Sequence, residues 1–252
     1  MKSAFLLGIC LVSAGLQASD CEYEKTINQT LDLSGSEQLT VLAAAGELGI
    51  TGDRDSHSAS IRGRVCVSEK EWLEQSQVRT RDGKQAEIVV DLPDHDSWGE
   101  YAYLDLELTV PEGISLNVKD SSGDIEIERV GALTLQDSSG DIEITGTSGS
   151  LSIRDSSGDI VISDVEGSVT IESDSSGDIR GKAIENNVLV KNDSSGDIRF
   201  KDVGQDFIVE SDSSGDISAD KIGGDFNVIR DGSGEISATN VEGEVRVPEE
   251  RS

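Results

Sequence analysis

The sequence predicts an all-β chain: a single parallel β-solenoid (β-helix) of about seven regular coils behind an irregular, β-rich N-terminal cap. Three observations predict it. First, near-copies of "DSSGDIEI" recur, with the leading Asp at 120, 137, 155, 174, 193, 212 and 231. A fixed short period marks a stacked repeat. Second, Ile stands five residues after that Asp in every copy, from Ile125 to Ile236. A second alternating pair follows, such as Val169/Ile171 or Phe207/Val209. Alternation over so few residues marks short strands with one buried face. Third, one repeat is too small to bury that face alone, whereas stacked coils bury it against each other. Each strand then pairs in parallel with its copy ~4.8 Å away.

The elements follow in chain order. Residues 1–18, "MKSAFLLGICLVSAGLQA", have a basic start, a short apolar run and small residues, as in a cleaved secretory leader. The run is too short to span a membrane, and no later segment is long enough. The chain is therefore expected in the periplasm or secreted, with no transmembrane segment after cleavage. Cys21 and Cys66 remain, and an oxidising compartment favours pairing them, with free buried thiols as the alternative. Residues 19–119 form the cap. "QLTVLAA", "ASIRGRVCV", "QAEIVVDL" and "AYLDLELTV" read as strands. "SEKEWLEQ" predicts a short helix near 68–76, with Ser68 as cap and Glu71 closing the capping box. Residues 120–247 are the solenoid and 248–252 a tail, in which Pro248 and "EERS" close the far end.

Count the leading Asp as position 0. Gly at position 3 permits the positive φ of a tight corner. The Asp at position 0 can accept backbone N–H groups ahead of it as an Asx turn. "DSSGD" is thus a corner, and it repeats because every coil turns at the same place.

The motifs "AGELGITGD", "LTVPEGISLNVKDSSGDIEI" and the recurring S-G-D-I with V-x-G-x-V between resemble the bacterial "putative adhesin" domain family. The resemblance spans roughly Leu39 to Val247. It implies a β-solenoid of unknown function and carries over no catalytic residue. This chain is more regular than the family pattern, with nearly perfect D-S-S-G-D corners.

Composition narrows the chemistry. With 50 acids against 21 bases and a net charge of −29, the chain repels nucleic acid and anionic lipid head groups. The two histidines, His57 in "DRDSHS" and His95 in "PDHDSW", sit in loop-like contexts. The repeat serines have no histidine among them to serve as base. The short uniform coils leave no long loops to build a lyase-type cleft. A non-enzymatic envelope-binding or adhesin-like module is expected, with an unknown envelope or surface ligand or a second copy as partner. The alternatives are a structural, self-assembling envelope protein and a divalent-cation-binding solenoid.

Three surfaces are candidates. Positions 4, 6 and 8 point outward if 5 and 7 point in. Asp124, Glu126, Asp141 and Glu143 make an acidic patch, where weak calcium binding is the one cofactor on offer. Arg180, Lys182, Arg199 and Lys201 make a basic patch expected to pair with neighbouring aspartates, or else to attract anions. On the V-x-V face, Leu189 and Ile208, with Ile229 nearby, form an apolar cluster of the kind found at interfaces.

Overall fold

The computed structural model describes residues 21–95 and 98–248. Residues 1–20 (which include the expected leader), Asp96 and Ser97, and residues 249–252 of the tail lie outside the described residues. The strands form two sheets of 11 strands each, whose inward side chains share one continuous core. The Ile column is in register from Ile125 to Ile236, each residue level with its copy one coil away. On the opposite sheet Val169, Val188, Phe207 and Phe226 stack the same way.

Core volume is conserved between coils rather than within them. Position 7 holds Gly181 in one coil and Phe200 in the next. A Cβ on Gly181 would lie 2.1 Å from the Phe200 ring, so the missing side chain makes room for the large one. Phe200 meets Phe207 at 5.2 Å between ring centroids, and Phe207 meets Phe226 at 5.5 Å. Tilted pairs at such distances contribute ~1 kcal/mol beyond their burial.

The parallel ladders do not begin at Asp120. The N-terminal region contains β1 (Tyr23–Asp32), β2 (Gln38–Leu42), β3 (Leu48–Asp53), β4 (Ser58–Val67), α1 (Trp72–Gln75), β5 (Gln77–Arg81), β6 (Gln85–Asp91), β7 (Ala102–Pro111) and β8 (Ser115–Lys119), followed by β9 (Ile125–Glu128) of the first repeat. β2 pairs in parallel with β6 on one side and β8 on the other. β3 likewise lies between β7 and β9. Two further coils therefore extend the stack, in the spatial order β6/β7, β2/β3, β8/β9. The coil that is first in sequence is second in space, because the chain leaves β3, builds β4, α1 and β5, and returns outside β2.

Antiparallel strands finish this end. β4 pairs with β7 and β1 with β4, while β5 pairs with β6. Cys21 and Cys66 form a disulfide that ties the start of β1 to the end of β4. Closing a loop of 45 residues stabilises by ~4 kcal/mol in the chain-entropy model. The expected capping box is not made. The helix is a single turn of 4 residues, and its N-cap, Glu71, makes no side-chain cap bond. Ser68 Oγ instead accepts the Tyr101 amide at 3.1 Å, holding the end of β4 to the start of β7.

Candidate functional site

The D-S-S-G-D corner uses each of its residues. At position 3 every Gly has φ between +121° and +145°. A Cβ there would lie 1.7–2.1 Å from the carbonyl oxygen of the glycine one coil back, so no side chain fits. At position 2 the serine hydroxyl reaches back to the preceding coil: Ser195 Oγ donates to the Ser175 carbonyl at 3.0 Å and Ser214 Oγ to Ser194 at 3.2 Å. At position 4 the carboxylate reaches forward. Asp141 Oδ1 accepts the Asp159 amide at 2.9 Å, Asp159 the Asp178 amide at 2.9 Å, and Asp178 the Asp197 amide at 2.8 Å. The ladder runs on through Asp197 and Asp216 to the amide of Glu235. These bonds, with the Arg180 guanidinium as a further cause at Asp159, hold Asp159 and Asp197 below the usual carboxylate range.

The Asx turn expected at position 0 is present in loose form: the amides of the two following serines lie ahead of each carboxylate and oppose the effect of its burial. Amides reach this carboxylate in hydrogen-bond geometry only at Asp174, from Ser176 at 3.3 Å, and at Asp212, from Ser214 at 3.1 Å. The position-0 side chains turn inward, and Asp137, Asp155, Asp174, Asp193 and Asp212 are 1–3 % exposed. Both carboxylate oxygens of Asp120, Asp137, Asp155 and Asp193 lack a partner. Burial drives Asp120 and Asp193 up to about 7 and Asp155 and Asp212 up to about 6, with neighbouring column carboxylates adding to it.

The opposite corner has its own ladder at position 13, which the sequence pattern did not reveal. Asn187 Oδ1 accepts the Asp206 amide at 3.1 Å, Asp206 the Asp225 amide at 2.8 Å, and Asp225 the Glu244 amide at 2.9 Å. The letters there change from Ser to Asn to Asp to Glu; the common property of the members that accept is a short acceptor side chain.

The outer faces carry the three predicted patches. Asp124, Glu126, Asp141 and Glu143 share a shallow acidic depression of about 580 Å³ with Glu47 and Asp105. Among the described residues no set of three or more His, Cys, Asp or Glu side chains is placed to hold a metal ion. Asp124 Oδ1 and Asp141 Oδ1 already accept amides. Arg180 bridges Asp159 at 2.8 Å and pairs with Asp178, while Arg199 pairs with Asp197. Lys201 lies 3.7 Å from Asp220, and Lys182 makes no ion pair among the described residues. Leu189 and Ile208 are level neighbours on the outer face, each half-buried, and Ile229 is 52 % exposed.

A fourth feature was not foreseen. Position 9 adopts left-handed backbone at Arg129, Asp164, Ala183, Asp202, Lys221 and Asn240, with φ of 54–60°. A residue of this kind costs of order 1 kcal/mol unless neighbours enforce it. Here it turns the chain sharply after the I-x-I strand and opens a groove of about 850 Å³. The groove crosses all seven repeats, about 30 Å at the coil spacing. Val165, Ile184, Val203 and Ile222 line its floor, and Glu166 and Glu185 its wall.

The sequence matches the family model described as Toastrack DUF4097 over residues 17–168 and again over 105–186. The chain belongs to the Toastrack DUF4097 family. The Toastrack chain also aligns with solved structures. A "putative adhesin" from Bacteroides fragilis aligns at 14 % identity with a TM-score of 0.49, covering 88 % of this chain and 97 % of that one. A "putative cell adhesion protein" from Clostridium sporogenes aligns at 15 % identity with a TM-score of 0.39, covering 89 % and 100 %. A "putative lipid binding protein" from Parabacteroides distasonis aligns at 15 % identity with a TM-score of 0.39, covering 90 % and 98 %. Comparison with curated protein sequences gives no match.

Proposed function

We propose that this Toastrack chain is an exported, non-catalytic, adhesin-like module that holds an extended envelope polymer along its solenoid. The groove at position 9 carries the proposal. It is long and uninterrupted and repeats its backbone geometry coil by coil, which suits a linear polymer of repeating units. Carboxylates along the groove suit a neutral or amino-bearing glycan whose hydroxyls donate to them; the apolar side chains beneath are buried and serve as support. The basic patch is a weaker candidate for an anionic polymer, because Arg180 and Arg199 are already engaged by aspartates. The repeats contain no histidine, which supports a non-catalytic role. The disulfide supports an oxidising, extracytoplasmic compartment, periplasmic or secreted. No helix among the described residues is long and apolar enough to cross a membrane.

Calorimetric titration with neutral, N-acetylated and phosphate-bearing oligosaccharides released from bacterial envelopes tests this. Saturable binding of the first two classes, weakened at least tenfold by Glu166→Lys with Glu185→Lys, is the expected result. Binding of none of them, or binding indifferent to both substitutions, would remove the groove from consideration. The strip of Leu189, Ile208 and Ile229 favours a second role, contact with a protein partner. Leu189→Asp with Ile208→Asp should then abolish partner capture from the native envelope fraction and leave glycan titrations unchanged.

A further inference from the structure

The two ends of the stack are finished differently. Each inner coil passes backbone N–H groups forward to the next. Asp212 N donates to the Arg230 carbonyl at 3.0 Å, Gly215 N to Ser233 at 3.1 Å, Ile217 N to Glu235 at 2.9 Å and Phe226 N to Glu244 at 2.9 Å. The same four amides in the last coil belong to Asp231, Gly234, Ile236 and Val245. Among the described residues they have no acceptor. The row of core positions is bared with them. Ile236, Ala238 and Val241 are covered from one side only, and Val245 and Val247 are 54 % and 49 % exposed.

Of the two strands at this edge, one lacks the charges that guard the others, while Val245–Arg246 carries Arg246 paired with Asp225 and Glu244. Exposed strand edges usually carry charged side chains that discourage pairing. β1 has Glu24, Lys25 and Asp32, and β5 has Arg79 and Arg81. The strand Ile236–Val241 reads "ISATNV" and has no charge. In a chain of net charge −29, two copies can approach closely only where carboxylates are sparse.

We propose that the last coil docks on the last coil of a second copy, giving a tail-to-tail dimer about a two-fold axis perpendicular to the sheets. Such an axis sets Ile236–Val241 antiparallel to the same strand of the second copy and does the same for Val245–Arg246. The unused amides then find carbonyls, and the half-covered core row meets its own image. A head-to-tail stack would have to seat the uncharged strand on β1 and β5, the edges at the other end, whose charged side chains oppose pairing. A two-fold interface therefore closes at two copies. Glu235, Glu242 and Glu244 flank the contact, so salt should tighten it.

Sedimentation of the disulfide-bonded chain lacking its leader tests the dimer. The expected result is a concentration-dependent dimer that strengthens as ionic strength rises. Ala238→Pro removes an amide on the open side of the strand and should give a monomer with unchanged circular dichroism. Ser237→Lys with Thr239→Lys adds like charges on outward positions and should do the same even if the proline variant folds poorly. A wild-type monomer at every concentration and salt would overturn the proposal. So would a dimer that survives the double lysine variant, or one abolished by Leu189→Asp with Ile208→Asp, which would place the contact on the flat sheet instead.

Discussion

The two aspartates of D-S-S-G-D stand four residues apart in every repeat from Asp120 to Asp216, yet they live in opposite environments. The second faces water, accepts the amide of the coil ahead, and is held below the ordinary range at Asp159 and Asp197. The first faces the interior, has almost no partner, and is raised to about 6 or 7 at four of its positions. A column of identical carboxylates can thus be either a stitch or a store of protons. The side to which the corner glycine sends each one decides which.

Removing the corner breaks both columns at once. Gly158→Ala places a Cβ 1.9 Å from the Gly140 carbonyl, at a φ of +133°. A backbone clash in a region reserved for glycine should cost more than about 4 kcal/mol. Thermal unfolding measures it, and a loss below ~1 kcal/mol would mean that the coils can slide to relieve it.

The inner column alone is probed by Asp155→Asn. Its folded pKa, about 6, lies above the unfolded value of 3.8. The folded state therefore binds more protons, so stability is greatest in acid and falls as pH rises through 6. The columns at 193 and 120 extend that window to about 7. The melting temperature should drop between pH 5 and pH 8. Asparagine cannot ionise, so the variant should gain roughly 2 kcal/mol at pH 8 and show a shallower slope. Equal slopes for variant and wild type would assign the pH dependence to general surface repulsion.

The outer column gives a smaller effect of the opposite sign. Asp159→Ala leaves the Asp178 amide without its acceptor and should cost ~1 kcal/mol above pH 5. Asp159→Asn keeps an oxygen there and should recover most of that. Because the folded-state pKa values of Asp159 and Asp197 are depressed, their contribution fades only as pH falls below about 4. Smallest of all, Arg180→Gln should change stability by no more than ~1 kcal/mol, since the pair with Asp159 is exposed. Chemical denaturation at two salt concentrations would show whether even that survives screening.

Much of this architecture was legible because stacking repeats letters. The Ile column fixed the strand register, and its parity placed Asp124 and its copies outside. Parity does not carry across a corner. Position 0 lies beyond a glycine of unusual φ, so the inward turn of Asp155 could not be counted from Ile160. The two N-terminal coils were harder for another reason. Ala45-Gly46-Glu47-Leu48 is a worn S-G-D-I corner: Gly46 has φ of +127°, Leu48 N donates to the Asp124 carbonyl at 2.9 Å, and Glu47 N reaches Asp105 Oδ1 at 3.2 Å. Its neighbours in space are 58 residues later, at Asp105, and β9, so no local period announces it. The groove leaves no mark in the letters because position 9 holds Arg, Gly, Asp, Ala, Asp, Lys and Asn in turn, and only the left-handed backbone is shared.

The placement of β2/β3 between β6/β7 and β8/β9 sets the order in which the molecule can be completed. A chain delivered from its N-terminus presents this coil first, with both of its flanks bare. The flank toward β6 and β7 waits for residues up to Pro111, and the flank toward β8 and β9 waits for residues up to Glu128. Contacts across such separations close slowly. Templated winding from the leading end is thus ruled out by topology. A chain emerging from its N-terminus holds about half its length unfinished before the regular repeats find a floor to wind upon.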